Sequence, residues 1–317
     1  MITDFYDFYS LSAGILKIFL LIGIGYVLNT RKILKKDAIS SLSAILIWAS
    51  LPALIFTKIT STFDVSLFPR WYLLPLIAIM LSLLGGALGY VFQRFIPGLN
   101  SRNEFIASCS LHNAGYLPMT LIAFVCSGSF CDKMLVYIFL FIVGFNIIMW
   151  SFAPIFLSKE NKKSFDLKAI LNPPLITTVV SLMFVFFLGK GQVPGLVNEP
   201  LLMLGATTFP LALIVLGLCL AEYKGIEINN WQALASSIFV KLIFLPMIVF
   251  FILKILPIDD SLKFFIFLEA TMPMAVSLVL IGEMVKADNR FLSSVTFYSH
   301  LLAVVTIPVW LLIFRNF

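Results

Sequence analysis

The sequence predicts an all-α polytopic membrane protein in which ten transmembrane helices form two inverted five-helix repeats, with helices 4 and 9 broken and crossing. Three observations support this fold class: an apolar composition, ten apolar segments of spanning length, and prolines that recur at a nearly constant separation. Of the 317 residues, 61% are hydrophobic and 12% are charged, whereas soluble proteins are about 45–50% apolar and about 25% charged. The composition excludes soluble enzymes, nucleic-acid-binding proteins and secreted disulfide-rich domains as descriptions of the whole chain.

Ten segments have the length that a membrane span requires, about 20 mostly apolar residues. The connections between them are short, and the longest hydrophilic one is Ser158–Lys168. The segments cover residues 11–29, 38–58, 72–93, 104–127, 134–157, 169–188, 198–221, 231–253, 262–284 and 290–314. Since the number of spans is even, we expect both termini on the same side of the membrane.

Basic residues in the connections predict the orientation, because cytoplasmic loops are enriched in lysine and arginine. If the N-terminus lies outside, the cytoplasmic connections hold 13 basic residues and the outer connections hold 7. The segments Arg31–Lys36 and Lys159–Lys168 contribute most of this excess. We therefore expect a multi-pass protein of the cell membrane with both termini on the periplasmic or extracellular side.

Three prolines of the first half have counterparts in the second half, in the same order. The pairs are Pro52 with Pro210, Pro118 with Pro273 and Pro154 with Pro308, separated by 158, 155 and 154 residues. This predicts a first repeat at residues 1–157, a short cytoplasmic linker at 158–168 and a second repeat at 169–317. Because five spans per repeat is an odd number, the second repeat is inverted, as in secondary transporters with a midplane site. A duplication without transport is the alternative.

The fourth and ninth spans combine prolines with polar residues. The fourth contains His112, Asn113, Gly115, Tyr116 and Pro118, and the ninth contains Glu269, Thr271 and Pro273. We expect both helices to break and restart, with Pro118 and Pro273 as the first residues of the second halves. A restarted half-helix offers unpaired amides to an anion, and the carbonyls freed on the other half suit a cation. The alternative is a pair of proline-kinked helices that pack through Gly115 and Ala270.

Other polar residues inside the spans are further site candidates. Glu269 is the only acidic residue well inside a predicted span, which is costly and indicates function. It would exchange a proton, hold a sodium ion, pair with a lysine, or form a neutral hydrogen bond between helices. Asn146 and His300 each lie eight residues before a paired proline, so we expect them to face one crevice. A neutral packing role is equally open for His300.

Two lysines, Lys17 and Lys241, lie inside predicted spans. Each would either balance a substrate carboxylate or extend its ammonium group to the membrane interface. Extension to the interface is the better prediction for Lys17, and both alternatives stay open for Lys241. The four cysteines fit no metal-ligand spacing, so no resident metal or cofactor is predicted apart from a sodium ion near Glu269.

Several short motifs, in this order along nearly the whole chain, resemble the auxin efflux carrier family of membrane transporters. Each motif is short and weakly specific, whereas their order is more specific. They are Gly23-Ile24-Gly25-Tyr26, the basic turn Arg31–Lys36, Leu51-Pro52-Ala53-Leu54-Ile55-Phe56, Asn113-x-Gly115-x-x-Pro118, Asn172-Pro173, Pro210-Leu211-Ala212-Leu213 with Gly217, and Thr306-Ile307-Pro308.

The resemblance implies a ten-helix fold with two inverted repeats, related in architecture to the bile acid sodium symporters. It implies a panel formed by 11–58 with 169–221 and a mobile core formed by 72–157 with 231–314, which move against each other as an elevator. Family members carry carboxylated organic anions such as auxin, malate or malonate, and the resemblance also implies a homodimer. Asn113, Pro118 and Pro273 match the crossover of the two broken helices.

Two departures from the family pattern concern the crossover. His112 stands where the family often has a small residue, and Met274, Ala275 and Val276 follow Pro273 where a polar side chain is common. The polar group is instead Glu269, which resembles in position the acidic cation ligand of the sodium symporters. Sodium coupling gains weight from this likeness, and proton coupling stays open beside it.

Together these features predict a secondary transporter of small carboxylated organic anions in the lipid bilayer. The predicted substrate-binding residues are Asn113, Gly115, Tyr116, Pro118, Thr271, Pro273 and Asn146, and the predicted ion-coupling residues are Glu269, His300 and His112. An enzyme is not expected, because two histidines in separate spans without a His-Glu-x-x-His motif provide no metal site. A membrane receptor that binds the anion without transporting it is the alternative.

Overall fold

The computed structural model describes residues 8–34, 36–126, 128–158, 171–223 and 230–315, and these segments are almost entirely helical. Seven of the described helices are long and apolar enough to cross a membrane: Ala13–Thr30, Asp37–Thr62, Leu73–Phe95, Gly128–Leu157, Gly195–Glu222, Trp231–Ile255 and Asn289–Arg315. They coincide with seven of the ten predicted spans. The prediction of an all-helical polytopic membrane protein is therefore confirmed.

The other three predicted spans form shorter helices. The segment predicted at 169–188 is a helix of 16 residues, Pro173–Leu188, which begins where the Asn172 side chain accepts a hydrogen bond from the Leu175 amide. The fourth and ninth spans consist of two helices each, so the predicted breaks are confirmed. The predicted linker at 158–168 lies outside the described residues, except for Ser158.

The described α-helices are labelled in chain order. They are α1 (Phe8–Thr30), α2 (Lys36–Ile45), α3 (Leu51–Thr62), α4 (Leu73–Phe92), α5 (Arg102–Ser110), α6 (Tyr116–Val125), α7 (Gly128–Ile147), α8 (Ala153–Leu157), α9 (Pro173–Leu188), α10 (Gly195–Ala206), α11 (Thr208–Glu222), α12 (Trp231–Phe239), α13 (Leu245–Ile255), α14 (Asp260–Ala270), α15 (Ser277–Met284) and α16 (Asn289–Arg315). The broken fourth span is thus α5 and α6, and the broken ninth span is α14 and α15.

Proline explains an irregularity that recurs within the long helices. Wide π-helical turns join α2 to α3, α7 to α8 and α12 to α13, at Leu46–Ser50, Ile148–Phe152 and Val240–Phe244. Each turn ends two residues before a proline, at Pro52, Pro154 and Pro246. A proline ring crowds the carbonyl four residues earlier and donates no hydrogen bond. The wider turn accommodates the ring without ending the helix, and the third turn places Lys241 in the protein core.

Close backbone packing determines how the long helices group. Helix α1 packs along α11, where a Cβ atom on Gly217 would lie 2.0 Å from the Ile22 carbonyl oxygen. Helix α3 packs against α9 and α10, and α4 packs against α5 and α7. The helices of the predicted panel are therefore neighbours in space. The inverted repeat and the division into a panel and a mobile core stay predictions.

Candidate functional site

The breaks in the two short-helix pairs meet in the protein interior. The Asn113 amide donates to the Pro273 carbonyl at 2.8 Å, and the Ala275 amide donates to the Leu111 carbonyl at 3.1 Å. His112 and Met274 form the centre of this antiparallel bridge. Backbone groups released from a helix must find partners inside a membrane protein, because lipid offers none. Each broken segment therefore provides hydrogen-bond partners for backbone groups of the other.

The predicted positions of the two prolines within the breaks were wrong. Helix α6 begins at Tyr116, so Pro118 is its third residue, and Pro273 precedes α15, which begins at Ser277. Pro118 suits the first turn, whose amides have no helical acceptor. Pro273 stays extended because its carbonyl is used by Asn113 in the bridge. A proline in the span therefore indicates that the helix breaks, whereas the residue at which the helix restarts depends on the bridge.

A cavity of about 210 Å³, called the central cavity here, lies beside the bridge. The starts of both second half-helices line it, at Gly115–Tyr116 and at Val276–Ser277. Neither Gly115 nor Val276 caps its helix with a side-chain hydrogen bond. Two helix N-termini, each with a partial positive charge, therefore line one space, although the Leu117, Leu278 and Val279 amides of their first turns already have acceptors.

The walls of the central cavity are mostly apolar. They include Leu51, Ile142, Phe145 and Trp150, and no lysine, arginine, aspartate or glutamate lines the cavity among the described residues. Ligand sites for drug-sized molecules usually have volumes of about 300–1,000 Å³. This smaller space suits a small ligand with an apolar body and one group that accepts amide hydrogen bonds.

A wider space of about 1,060 Å³, called the vestibule here, adjoins the central cavity. The two share Ser43, Ile47, Cys219 and Leu280 in their walls. Glu222, Glu283 and Arg290 line the vestibule, and the Asn29 side chain donates to Glu222 at 2.7 Å. The vestibule extends to Arg290, which lies on the side that the basic-residue count predicts to be cytoplasmic.

The structure brings together only part of the predicted substrate-binding set. Asn113, Gly115, Tyr116 and Asn146 line the central cavity. Pro118, Thr271 and Pro273 are buried and do not line it. The Thr271 hydroxyl donates to the Leu268 carbonyl at 2.7 Å, so it is occupied within its own helix.

Asn172 is a cavity-lining residue that was not among the predicted site residues. Its side-chain oxygen lies 3.4 Å from the Asn146 amide nitrogen and accepts from the Leu175 amide at 3.0 Å. The sequence signal was an asparagine directly before two prolines, which is typical of a helix start. That signal indicates a residue that caps a helix N-terminus. Only the tertiary structure shows that this capping residue also lines the central cavity.

His300 lies behind Asn113 and does not line the central cavity. Its Nδ1 atom is 2.8 Å from the Thr296 carbonyl oxygen, which requires the proton to be on Nδ1. Its Nε2 atom then accepts from the Asn113 side-chain amide at 3.3 Å. The Asn113 side-chain oxygen lies 3.4 Å from the Leu117 amide at the start of α6. The expectation that Asn146 and His300 line the same crevice is therefore wrong, since His300 acts on the cavity only through Asn113.

The bridge residue His112 lies next to Glu269, and both side chains are fully buried. Glu269 Oε2 and His112 Nε2 are 3.3 Å apart, but the angle between the groups does not give a hydrogen bond. His112 also lines the central cavity, whereas Glu269 does not. Of the predicted ion-coupling residues, His112 alone touches both the carboxylate and the cavity.

Comparison with known proteins identifies the class of this molecule. The family described as membrane transport protein matches residues 10–311. Similar proteins include an uncharacterised transporter of Methanocaldococcus jannaschii, 26% identical over 93% of this chain and 96% of the relative. An uncharacterised transporter of Methanothermobacter thermautotrophicus is 25% identical with the same coverage. Protein PIN-LIKES 1 of Arabidopsis thaliana is 22% identical over 96% of this chain and 78% of its own length. The chain therefore belongs to the membrane transport protein family, which is the auxin efflux carrier family that its motifs resemble, and it is a transporter rather than an enzyme.

Proposed function

We propose that this transporter carries small carboxylated organic anions and binds them in the central cavity. The observation that carries the proposal is that the first turns of α6 and α15 both line one mostly apolar space. A carboxylate needs hydrogen-bond donors and positive potential, and the two helix N-termini would supply the potential, with the Tyr116 and Ser277 amides as donors. The apolar walls would hold the organic body of the substrate.

The side chains of Asn113 and Asn146 would complete the site. Asn113 is held between His300 and the start of α6, so its amide has a defined orientation. Asn146 also lines the cavity, beside Asn172 at the start of α9. These uncharged amide groups would orient the substrate by donating hydrogen bonds to it.

The proposed mechanism is alternating access by an elevator motion. The two bridge hydrogen bonds support it, because they join the fourth and ninth spans into one unit. That unit would move along α1–α3 and α9–α11 and carry the substrate with it. The protein would alternate between two arrangements of this unit. The inverted repeat proposed from the proline pairs would make the second, outward-open arrangement possible.

The test is direct transport by the purified full-length protein in liposomes. Radiolabelled indole-3-acetate, malonate, malate and a bile acid would each be offered outside, with the same unlabelled anion inside. We expect saturable counterflow for at least one of these anions. Binding of an anion without counterflow would contradict transport and favour the receptor alternative, and absence of both binding and counterflow would contradict the substrate class.

A further inference from the structure

His112 is a buried histidine in the wall of the central cavity. No lysine, arginine, aspartate or glutamate lines this cavity in the part of the chain that the structure describes. The titratable side chains of Tyr116 and Cys219 also line it, and these are neutral until they lose a proton. Among the described lining residues, His112 is therefore the one whose side chain becomes positive by binding a proton near neutral pH.

The His112 imidazole is held in a defined position. Its backbone is paired with Met274 in the bridge between the two broken spans. The ring centroid lies 5.0 Å from that of Phe145 and 5.7 Å from that of Phe141. The bridge and the two aromatic rings therefore fix the imidazole at the cavity wall.

Glu269 is the acidic partner of this imidazole. Glu269 Oε2 lies 3.3 Å from His112 Nε2, and both side chains are fully buried. Neither the two carboxylate oxygens nor the two ring nitrogens form a hydrogen bond with the described residues. Buried polar atoms without a partner are uncommon and need an explanation. A proton placed between Nε2 and Oε2 would give a partner to one atom of each side chain.

Lys241 is a further charged residue near the pair, and the sequence left its role open. Its ammonium group donates to the Cys109 carbonyl at 3.3 Å, and it acts on Glu269 and His112 only electrostatically. It is fully buried and does not line the central cavity. It is therefore not placed to bind a substrate carboxylate or to extend to the membrane interface. Lys17, the other lysine inside a span, is exposed.

His300 is the second histidine inside the spans, and its ring nitrogens are already engaged. They lie 2.8 Å from the Thr296 carbonyl oxygen and 3.3 Å from the Asn113 side-chain nitrogen. His300 does not line the central cavity. It is therefore the matched control for a change at His112.

The contacts of Glu269 suit a proton better than a sodium ion. Hard cations prefer several oxygen ligands. The described neighbour of the Glu269 carboxylate is instead an imidazole nitrogen. No group of three or more His, Cys, Asp or Glu side chains is placed to hold a metal ion in the described segments. A proton needs only the two atoms that are already 3.3 Å apart.

We propose that His112 and Glu269 form the proton-coupling site of this transporter, and that the pair takes up one proton with each carboxylate that enters the central cavity. The proton comes from the water of the vestibule and binds between Nε2 and Oε2. The resulting imidazolium is the cation beside the substrate, and the Glu269 carboxylate is its buried counterion. The proton leaves when the anion leaves, so the charge of one carboxylate is always balanced. The proposal rests on the transport function proposed above.

The pair is tested first without any transport measurement. Infrared difference spectra of the purified full-length protein would be recorded between about pH 5 and about pH 8, the range in which an ordinary imidazole titrates. We expect a carboxyl band that is absent in Glu269→Gln, titrates at a different pH in His112→Gln and is unchanged in His300→Gln. A difference spectrum that is the same in wild type, Glu269→Gln and His112→Gln would overturn the proton site.

Accumulation in liposomes tests the coupling. Indole-3-acetate, malonate and malate would be offered at a pH about one unit lower outside than inside, with potassium and valinomycin on both sides to remove the membrane potential. One proton for each anion allows about tenfold accumulation, because a tenfold proton gradient can balance a tenfold anion gradient. Protein-free liposomes would measure the diffusion of the uncharged acids, and choline would replace sodium in a parallel series.

The variants then show which residues provide the coupling. We expect wild type to accumulate the transported anion equally in both salts, and His300→Gln to do so at a lower rate. Glu269→Gln and His112→Gln should lose accumulation, and Glu269→Gln should keep counterflow at equal pH. Accumulation that requires sodium, or wild-type counterflow without accumulation, would overturn the proposal. If wild type shows no counterflow, the proposed function fails, while the infrared spectra still decide whether the pair binds a proton.

Discussion

The Asn113 amide donates a hydrogen bond of 2.8 Å to the Pro273 carbonyl, although the two residues are 160 positions apart in the chain. This bond and its neighbour from Ala275 to Leu111 hold the starts of α6 and α15 in a constant relationship. A ligand in the central cavity therefore meets both helix N-termini together.

A negative charge at the start of α15 is expected to exclude an anionic substrate. Ser277 lines the central cavity and is the first residue of that helix. Ser277→Asp should weaken binding of the transported anion at least tenfold, because two negative charges would share one small cavity. The helix itself should tolerate the change, since an aspartate favours a helix N-terminus.

The matched control for this change is Ser277→Asn, which has similar size and no charge. Affinity would be measured by isothermal titration calorimetry on the purified proteins. Equal affinities of the Asp and Asn variants would show that the substrate does not lie at this helix start.

Removal of the Asn113 side chain is expected to weaken binding through two lost contacts. Asn113→Ala removes an amide that lines the central cavity and the link from His300 to α6. We expect about a tenfold loss of affinity and about 1 kcal/mol of lost stability, the usual value of one hydrogen bond.

Asn103→Ala provides the control for Asn113→Ala, because Asn103 is exposed and bonds only the Phe156 carbonyl among the contacts described. It should leave the affinity unchanged in the same titration. If both variants bind the anion like wild type, Asn113 is not part of the site.

The close contact of α1 with α11 predicts a strong effect of a single methyl group. In Gly217→Ala the new Cβ atom would lie 2.0 Å from the Ile22 carbonyl oxygen and 2.8 Å from the Tyr26 amide nitrogen. Backbone atoms cannot rotate away, so the two helices must separate. We expect the unfolding temperature to fall by about 5 °C or more.

Gly23→Ala is the control for this packing, because a Cβ atom there meets nothing within 4 Å. Alanine is the better helix former by about 0.5–1 kcal/mol. The unfolding temperature of Gly23→Ala should therefore be equal to or higher than that of wild type. Equal unfolding temperatures for Gly217→Ala and wild type would contradict the packing of α1 on α11.

The π-helical turn that carries Lys241 has a supporting contact from α16. The Trp310 indole donates to the Leu242 carbonyl at 2.7 Å. Trp310→Phe keeps most of the aromatic volume and removes this donor, so we expect a loss of about 1 kcal/mol in chemical unfolding. Trp48→Phe, at a residue that is 73% exposed in another π-helical turn, should have no such effect. Similar losses in both variants would show that the indole hydrogen bond does not stabilise the turn.

Local properties of the sequence were sufficient to predict the membrane-spanning helices and the breaks in two of them. Apolar character over about 20 residues and the missing amide of proline act within one segment, so they indicate spans and interruptions without knowledge of the neighbours. The exact restart of α6 and α15 depended on the bridge, which pairs segments from different halves of the chain. The sequence does not reveal this pairing, so Pro118 and Pro273 were predicted to be the first residues of the two helices, and they lie elsewhere.

The partners of the polar residues depended on contacts distant in the chain. The sequence identified Lys241 as a lysine inside a span, but its acceptor is the Cys109 carbonyl, 132 residues away. Likewise Thr271 has the polarity of a binding residue, yet its hydroxyl bonds to its own helix and does not line the central cavity. Burial makes an unpaired polar group costly, so most buried polar groups have a partner. The sequence shows which polar side chains will need a partner inside the membrane. The packing of the helices determines which group becomes that partner.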